Sequence, residues 1–208
     1  VIKLLIVDDH FLIREGLKKT LKTETDILVI GELVKGAEVC DFIRNKECDL
    51  IILDINLPDR NGLDVLKDVK AIKPNIHVLM LSVNPEKDFA VRTIKAGAAG
   101  YITKDRAPEE LIKAIRKSVN SGRYISEQLG EKLARDLESG FSEKLHEKLS
   151  DREFQVLCLI GSGKSSKEIA TNLALGISTV NTYKSRIFEK MNFESTSQLI
   201  HYVIKNNL

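Results

Sequence analysis

The chain has 208 residues, with 32 Lys+Arg against 30 Asp+Glu and a formal charge of +2. At 43% hydrophobic and 30% charged it is composed like a globular protein, not a disordered one, and its length suits two domains. Near-neutrality gives no basic footprint for nucleic acid. Apolar runs such as Asp49–Leu53 fall far short of the roughly 20 residues that span a bilayer.

Within residues 1–120, short apolar runs alternate with amphipathic stretches. The runs are Lys3–Val7, Ile27–Gly31, Asp49–Leu53, Ile76–Leu81 and Ala99–Ile102. Uninterrupted runs of this length are expected of strands buried on both faces. Between them, helical spacing recurs at Leu17/Leu21, Val39/Phe42/Ile43, Leu63/Leu66/Val69, Ala90/Ile94 and Leu111/Ala114/Ile115. The alternation predicts a doubly wound α/β domain with a five-stranded parallel sheet. Pro58, Gly62, Pro74 and Gly97 are read as helix breakers.

Residues 121–148 change character. Ile125, Leu129, Leu133 and Leu137 predict one amphipathic helix, ended at Ser139-Gly140, in an interdomain linker. Residues 149–208 carry only helical signals and predict a small all-α domain. Ser150-Asp-Arg-Glu153 has capping-box form ahead of Val156, Leu157 and Ile160. Gly161 and Gly163 are read as stopping that helix, and further helices are expected at about 165–173, 178–190 and 195–206. No export signal is visible, so a cytoplasmic location without a membrane partner is expected. Cys40, Cys48 and Cys158 lack metal-ligand spacing and fit reduced thiols.

Polar residues mark the strand ends. Asp8-Asp9 closes the first run, Asp54 the third and Ser82 the fourth, and Lys104 follows the fifth. A parallel sheet opens all these ends on one edge, where ligands bind. Clustered carboxylates repel unless a cation neutralises them, and Mg2+ takes a few carboxylate oxygens while keeping room for phosphate. A lysine adds a compact charge that follows a phosphoryl group. The set suits aspartyl-phosphate chemistry.

The motifs Leu4-Leu-Ile-Val-Asp-Asp9, Leu53-Asp-Ile-Asn-Leu-Pro58 with Gly62, Met80-Leu-Ser82 and Gly100-Tyr-Ile-Thr-Lys104 resemble the flavodoxin-like receiver domain of bacterial two-component response regulators. The resemblance implies Asp54 as phosphoacceptor from a sensor histidine kinase. It implies Asp8, Asp9, Asp54 and the Asn56 carbonyl as Mg2+ ligands. Ser82 and Lys104 would contact the phosphoryl oxygens, and Tyr101 would be a switch aromatic that moves inward. Val83 stands where that family often has Ala.

In the C-terminal part, Ile160–Ser165 fails as a P-loop because Cys158 occupies the position needing Gly. A short helix with Ile169, Ala170 and Leu173, a turn through Leu175-Gly176 and a helix from about Ser178 form a helix-turn-helix pattern. Val180, Ile187 and Met191 are expected in the core. Thr179, Asn181, Thr182, Lys184, Ser185 and Arg186 are candidates for contacting double-stranded DNA, with Lys164 and Lys167 on the flanking backbone. Residues 149–208 hold seven basic side chains (Arg152, Lys164, Lys167, Lys184, Arg186, Lys190, Lys205) against five acidic ones (Asp151, Glu153, Glu168, Glu189, Glu194), so charge supports this only weakly.

Leu149-Ser-Asp-Arg-Glu153, Gly163–Ala170, Thr179-Val180 and Lys190-Met191 resemble the DNA-binding domain of LuxR/FixJ/NarL-class regulators. Gly176, Asn181 and Tyr183 depart from residues common there. The resemblance implies a DNA-binding transcriptional regulator, homodimeric when phosphorylated, with some apolar residues of the last helix facing a second protomer. It also implies that the protein is not an enzyme. Two alternatives stand beside it. One is a Mg2+-dependent aspartyl-phosphate phosphohydrolase, disfavoured because such haloacid-dehalogenase-like enzymes carry Asp-x-Asp after the first strand and usually a cap domain. The other is a DNA-binding regulator independent of phosphorylation.

Overall fold

Each predicted apolar run forms a strand in the computed structural model: β1 (Ile2–Val7), β2 (Ile27–Leu33), β3 (Leu50–Asp54), β4 (His77–Ser82) and β5 (Gly100–Thr103). All pair in parallel, in the order β2-β1-β3-β4-β5. The structure describes residues 1–83, 86–138, 144–206 and 208. They divide into two units, Val1–Arg135 and Asp136–Leu208.

In the first unit, side chains alternate across the sheet. Leu4, Ile6, Leu50, Ile52, Leu79 and Leu81 pack with Leu17 and Leu21 of α1 (Phe11–Leu21) and with Leu111, Ala114 and Ile115 of α5 (Ala107–Ser121). Residues of the other parity, among them Leu5, Val7, Ile51, Leu53, Val78 and Met80, are equally buried. The opposite face receives α2 (Val39–Asn45), α3 (Gly62–Ile72) and α4 (Glu86–Lys95). Gly31 lets Phe42 of α2 lie against β2, since a Cβ there would sit 2.5 Å from the Phe42 ring. β3, central in the order, is buried along its whole length, whereas β2 at the edge is half exposed.

The chain beyond α5 stays with this unit. Tyr124 is buried, its N–H donates to the Ala99 carbonyl at 2.6 Å, and its hydroxyl donates to Glu110 at 2.8 Å. A helix, α6 (Glu127–Glu138), occupies the predicted linker, with Leu129 buried near its start. The expected stop at Ser139-Gly140 lies outside the described residues.

The second unit holds α7 (Asp151–Gly161), α8 (Ser166–Asn172), α9 (Ile177–Met191) and α10 (Thr196–Lys205). Ser150 and Ser165 each open a helix through a complete capping box, with Glu153 and Glu168 closing them. Val180, Ile187 and Met191 enter the core as predicted. On α10, Leu199 and Val203 are buried. Tyr202 instead holds His146, whose Nδ1 lies 2.8 Å from the Tyr202 hydroxyl. Of its large apolar side chains, Ile204 alone is exposed, at 67%.

Gly62 opens α3 instead of breaking a helix. Gly161 ends α7, as read from the sequence, and also serves close packing: a Cβ would stand 2.3 Å from Val203 Cγ1. In the helix-turn-helix, the left-handed residue is Ala174 (φ 51°), while Gly176 is the extended N-cap of α9 (φ −74°).

Glu153 is also a core bond. Its buried carboxylate accepts from Lys190 Nζ at 2.7 Å and from the Ser150 N–H at 2.7 Å. Burial pushes its pKa up, but the Lys190 and Ser150 bonds outweigh burial and hold it below the usual Glu value. A depressed carboxylate adds stability that is present above its unfolded pKa, about 4.3, and is lost as pH falls through the folded value. Glu153→Gln should therefore cost about 1–3 kcal/mol at neutral pH and progressively less in acid, measured by denaturant melts of the second unit across pH. Gly161→Ala should cost about 1–3 kcal/mol through overpacking, with Val203→Ala in the same chain returning part of the loss.

Candidate functional site

Four strands deliver the candidate residues to one place. In the sheet register Val7 pairs with Leu53, Asp54 with Leu81, and Ser82 with Thr103. Asp8, Asp54, Ser82 and Lys104 thus emerge along a single edge. Asp8 and Asp54 are 0% and 1% exposed, and the Lys104 side chain is 7% exposed. Lys104 Nζ donates to Asp54 Oδ2 at 2.7 Å and lies 2.7 Å from Asp8 Oδ2.

The loops after the strands fix these groups. Asp54 Oδ1 accepts from the Asn56 N–H at 3.2 Å. Asn61 caps α3, its side chain accepting from the Leu63 N–H at 2.8 Å, and Gly62 N–H donates to the Ile55 carbonyl at 2.8 Å. A Cβ on Gly62 would lie 2.2 Å from the Asp54 carbonyl oxygen, so only glycine lets α3 start so close to the end of β3. The Lys104 N–H donates to the Ser82 carbonyl at 2.7 Å, tying the ends of β4 and β5.

Electrostatics follow from burial. Burial pushes the Asp54 carboxyl above the usual carboxylate range; Lys104 opposes this and Asp8 adds to it. Burial would lower the Lys104 ammonium, but Asp54 and Asp8 outweigh burial and raise it. The ammonium stays charged, and it holds two carboxylates that would otherwise repel.

Asp8, Asp9, His10 and Asp54 bring potential ligand atoms within 4.8 Å of one another. Asp8 Oδ2 is buried and faces the Lys104 ammonium at 2.7 Å. Three carboxylates against one ammonium leave a formal excess of two negative charges. An oxygen-rich set with that charge fits a hard divalent cation such as Mg2+. Sequence reasoning overlooked His10, whose Nδ1 lies 2.7 Å from Asp9 Oδ1, and Arg14, whose Nη1 donates to the Asp8 carbonyl at 2.8 Å. His10 directly follows the acidic pair, which is a signal in itself. Arg14 lies a turn into α1 and carries none. Tyr101 is 1% exposed, so its expected inward position is the one already adopted.

On the second unit, Thr179, Asn181, Thr182, Ser185 and Arg186 line the exposed side of α9, and Lys164 and Lys167 are exposed nearby. Thr182 and Ser185 hydroxyls donate to the Ser178 and Asn181 carbonyls at 3.0 and 3.1 Å. Lys184 is half-buried, with its ammonium 5.8 Å from the Phe188 ring centre. Ile177, 49% exposed in the first turn of α9, is an apolar residue on that side, which a pattern of polar residues does not reveal.

These features have counterparts in known proteins. Residues 4–116 match the response regulator receiver domain, and residues 147–203 match bacterial regulatory proteins of the luxR family. The chain is 32% identical over 209 aligned positions to the response regulator UvrY of Escherichia coli (strain K12), covering 100% of this chain and 96% of UvrY. It is likewise 32% identical to the response regulator GacA of Pseudomonas aeruginosa, over 100% of this chain and 98% of GacA. RcsB from Salmonella enterica serovar Typhimurium, solved bound to promoter rprA in the presence of phosphomimetic BeF3-, has the same fold, with a TM-score of 0.65, 23% identity and 97% of each chain covered.

Lys104→Met should leave two buried carboxylates without their counter-charge and cost about 3–5 kcal/mol at neutral pH. Millimolar magnesium should return part of that loss. Chemical denaturation with and without a chelator measures both effects.

Proposed function

The chain belongs to the LuxR-family response regulators, with a receiver domain and a helix-turn-helix DNA-binding domain, and from that premise we propose that phosphorylation of Asp54 controls its binding to DNA. The observation that carries this reading is the buried Asp54 carboxylate at the end of β3, bridged with Asp8 by Lys104.

The donor in this reading is the phosphohistidine of a sensor histidine kinase. An Asp54 oxygen attacks phosphorus, the P–O bond forms as the N–P bond breaks, and the leaving imidazole takes up a proton. Burial makes Asp54 a stronger base than a solvated carboxylate and thus a better nucleophile. Asp8, Asp9, Asp54 and the Asn56 carbonyl would hold Mg2+, which when bound supplies positive charge to the phosphoryl oxygens. The new group adds about −1.5 to −2 charge. Lys104 leaves its carboxylate bridge to meet that charge, and the Ser82 hydroxyl turns to it. Tyr101 is already buried, so Lys104 and Ser82 initiate the change, which reshapes the face formed by α4 and β5.

On the second unit, the exposed side of α9 suits the major groove. Asn181 has the donor–acceptor pair that reads adenine, and Ile177 offers an apolar contact for a thymine methyl. Lys164, Lys167 and Arg186 suit phosphates. The small basic excess makes one module a weak binder, so two protomers on half-sites about one DNA turn apart supply the usable affinity. RcsB has been solved as two dimers bound to two parallel DNAs, which supports a dimeric reading here. We place the protein in the cytoplasm, with its kinase and DNA, and as a regulator in preference to a phosphohydrolase: its nucleophile follows β3 and not β1.

Asp54→Asn should take up no label from a small acyl-phosphate donor and show no phosphodonor-dependent gain in DNA affinity. Labelling of that variant, or equal DNA binding with and without donor in the wild type, would refute the reading; multiple turnover on small phosphate esters would favour the hydrolase. In DNA selection, Asn181→Ala should relax preference at one base pair at a cost of about 1–3 kcal/mol, whereas Lys164→Ala should weaken all sequences and reduce the salt slope by about 1.

A further inference from the structure

The edge of the sheet opposite Asp54 carries a second concentration of charge, of the other sign. There the segments that follow α3, α4 and α5 border an open pocket of about 490 Å³, with Lys70, Asn75, His77, Gly97, Gly122 and Arg123 in its lining. Among the described residues no carboxylate belongs to that lining. The glycines leave two walls without side chains, and a Cβ on Gly97 would meet the Lys70 stem at 3.4 Å.

Lys70 Nζ donates to the Pro74 and Ile76 carbonyls at 3.1 and 2.6 Å, which leaves one of its three N–H groups uncommitted. Burial lowers the Lys70 ammonium, and no carboxylate opposes it. Burial and, after it, Lys70 lower the His77 imidazole, with Asp49 opposing. The ring is therefore neutral near pH 7 and offers an N–H donor. Arg123 is exposed and adds a planar fork of donors suited to oxyanions. Two cations and a neutral imidazole thus share a recess with no acid to balance them.

We propose that this pocket binds a phosphate group, free or carried by a small ester, through Lys70, His77 and Arg123. A phosphate dianion balances two cations, and its several oxygens can meet all three side chains. The volume is that of a small-molecule site. An adjoining groove of about 650 Å³ shares Pro74, Asn75 and His77 and extends to Cys48 and Val119, which gives the body of an ester room. The competing role is structural: the cations would serve only carbonyls at helix ends, where positive charge is favoured in any case.

Nuclear magnetic resonance of the histidine rings in the full-length protein, without divalent ions, separates these roles, with His77 assigned by His77→Gln. Inorganic phosphate should raise the His77 pKa by about one unit, while potassium chloride at the same ionic strength leaves it in place. Arg123→Ala, at an exposed position, should weaken phosphate binding about tenfold. Glucose 6-phosphate identifies the source: tighter binding than inorganic phosphate supports an ester, and equal or weaker binding supports the free ion. A His77 shift that chloride reproduces, or phosphate binding unchanged in Arg123→Ala, would overturn the proposal.

Discussion

Asp8 and Asp54 are withdrawn almost completely from water, and the Lys104 ammonium stands 2.7 Å from an oxygen of each. Without that ammonium, two like charges would share a low-dielectric space and one would be forced to take a proton. Because the three residues sit at the ends of β1, β3 and β5, their mutual attraction also fixes where three strands stop. The arrangement is held by compensation, so any group that competes for Lys104 changes the balance among strands as well as among charges. The phosphoryl group of the proposed reaction would compete in this way.

The second unit solves a different problem. Its core is small, and its helices are short enough that their ends matter as much as their sides. Serine caps therefore recur at Ser150, Ser165 and Ser195. Glu153 does double work, closing a cap and receiving Lys190 from α9. The exposed side of α9 is thereby anchored to α7 by a buried ion pair as well as by apolar packing. Its polar surface remains free of structural duty apart from hydroxyls folded back on their own helix.

Much of this was legible in the sequence because the relevant signals are local. Five uninterrupted apolar runs gave five strands, with ends shifted by one or two residues, and Ser-x-x-Glu gave its capping box directly. The convergence of Asp8, Asp54, Ser82 and Lys104 followed from parallel topology alone. What escaped depends on neighbours remote in the chain. Gly62 and Gly161 look like punctuation until the Asp54 carbonyl and Val203 are seen against them. Arg14 touches Asp8 through a backbone oxygen, which no side-chain pattern encodes. Ala174 takes a left-handed conformation in which glycine would be expected, and Gly176 beside it does not. Net charge misled most, because a recognition helix is defined by a few exposed positions and not by a surplus of lysine.

The all-parallel order of the sheet bears on how the chain matures. No two strands that pair here are joined by a hairpin, and Asp54 and Lys104 meet across 50 residues. Parallel pairing of distant segments forms late, after loop-closure entropy has been overcome. A partly folded chain therefore carries its carboxylates dispersed and solvated, each an ordinary acid with weak attraction for a cation and little nucleophilic character. The buried, Lys104-compensated carboxylate pair therefore exists only once the sheet has closed.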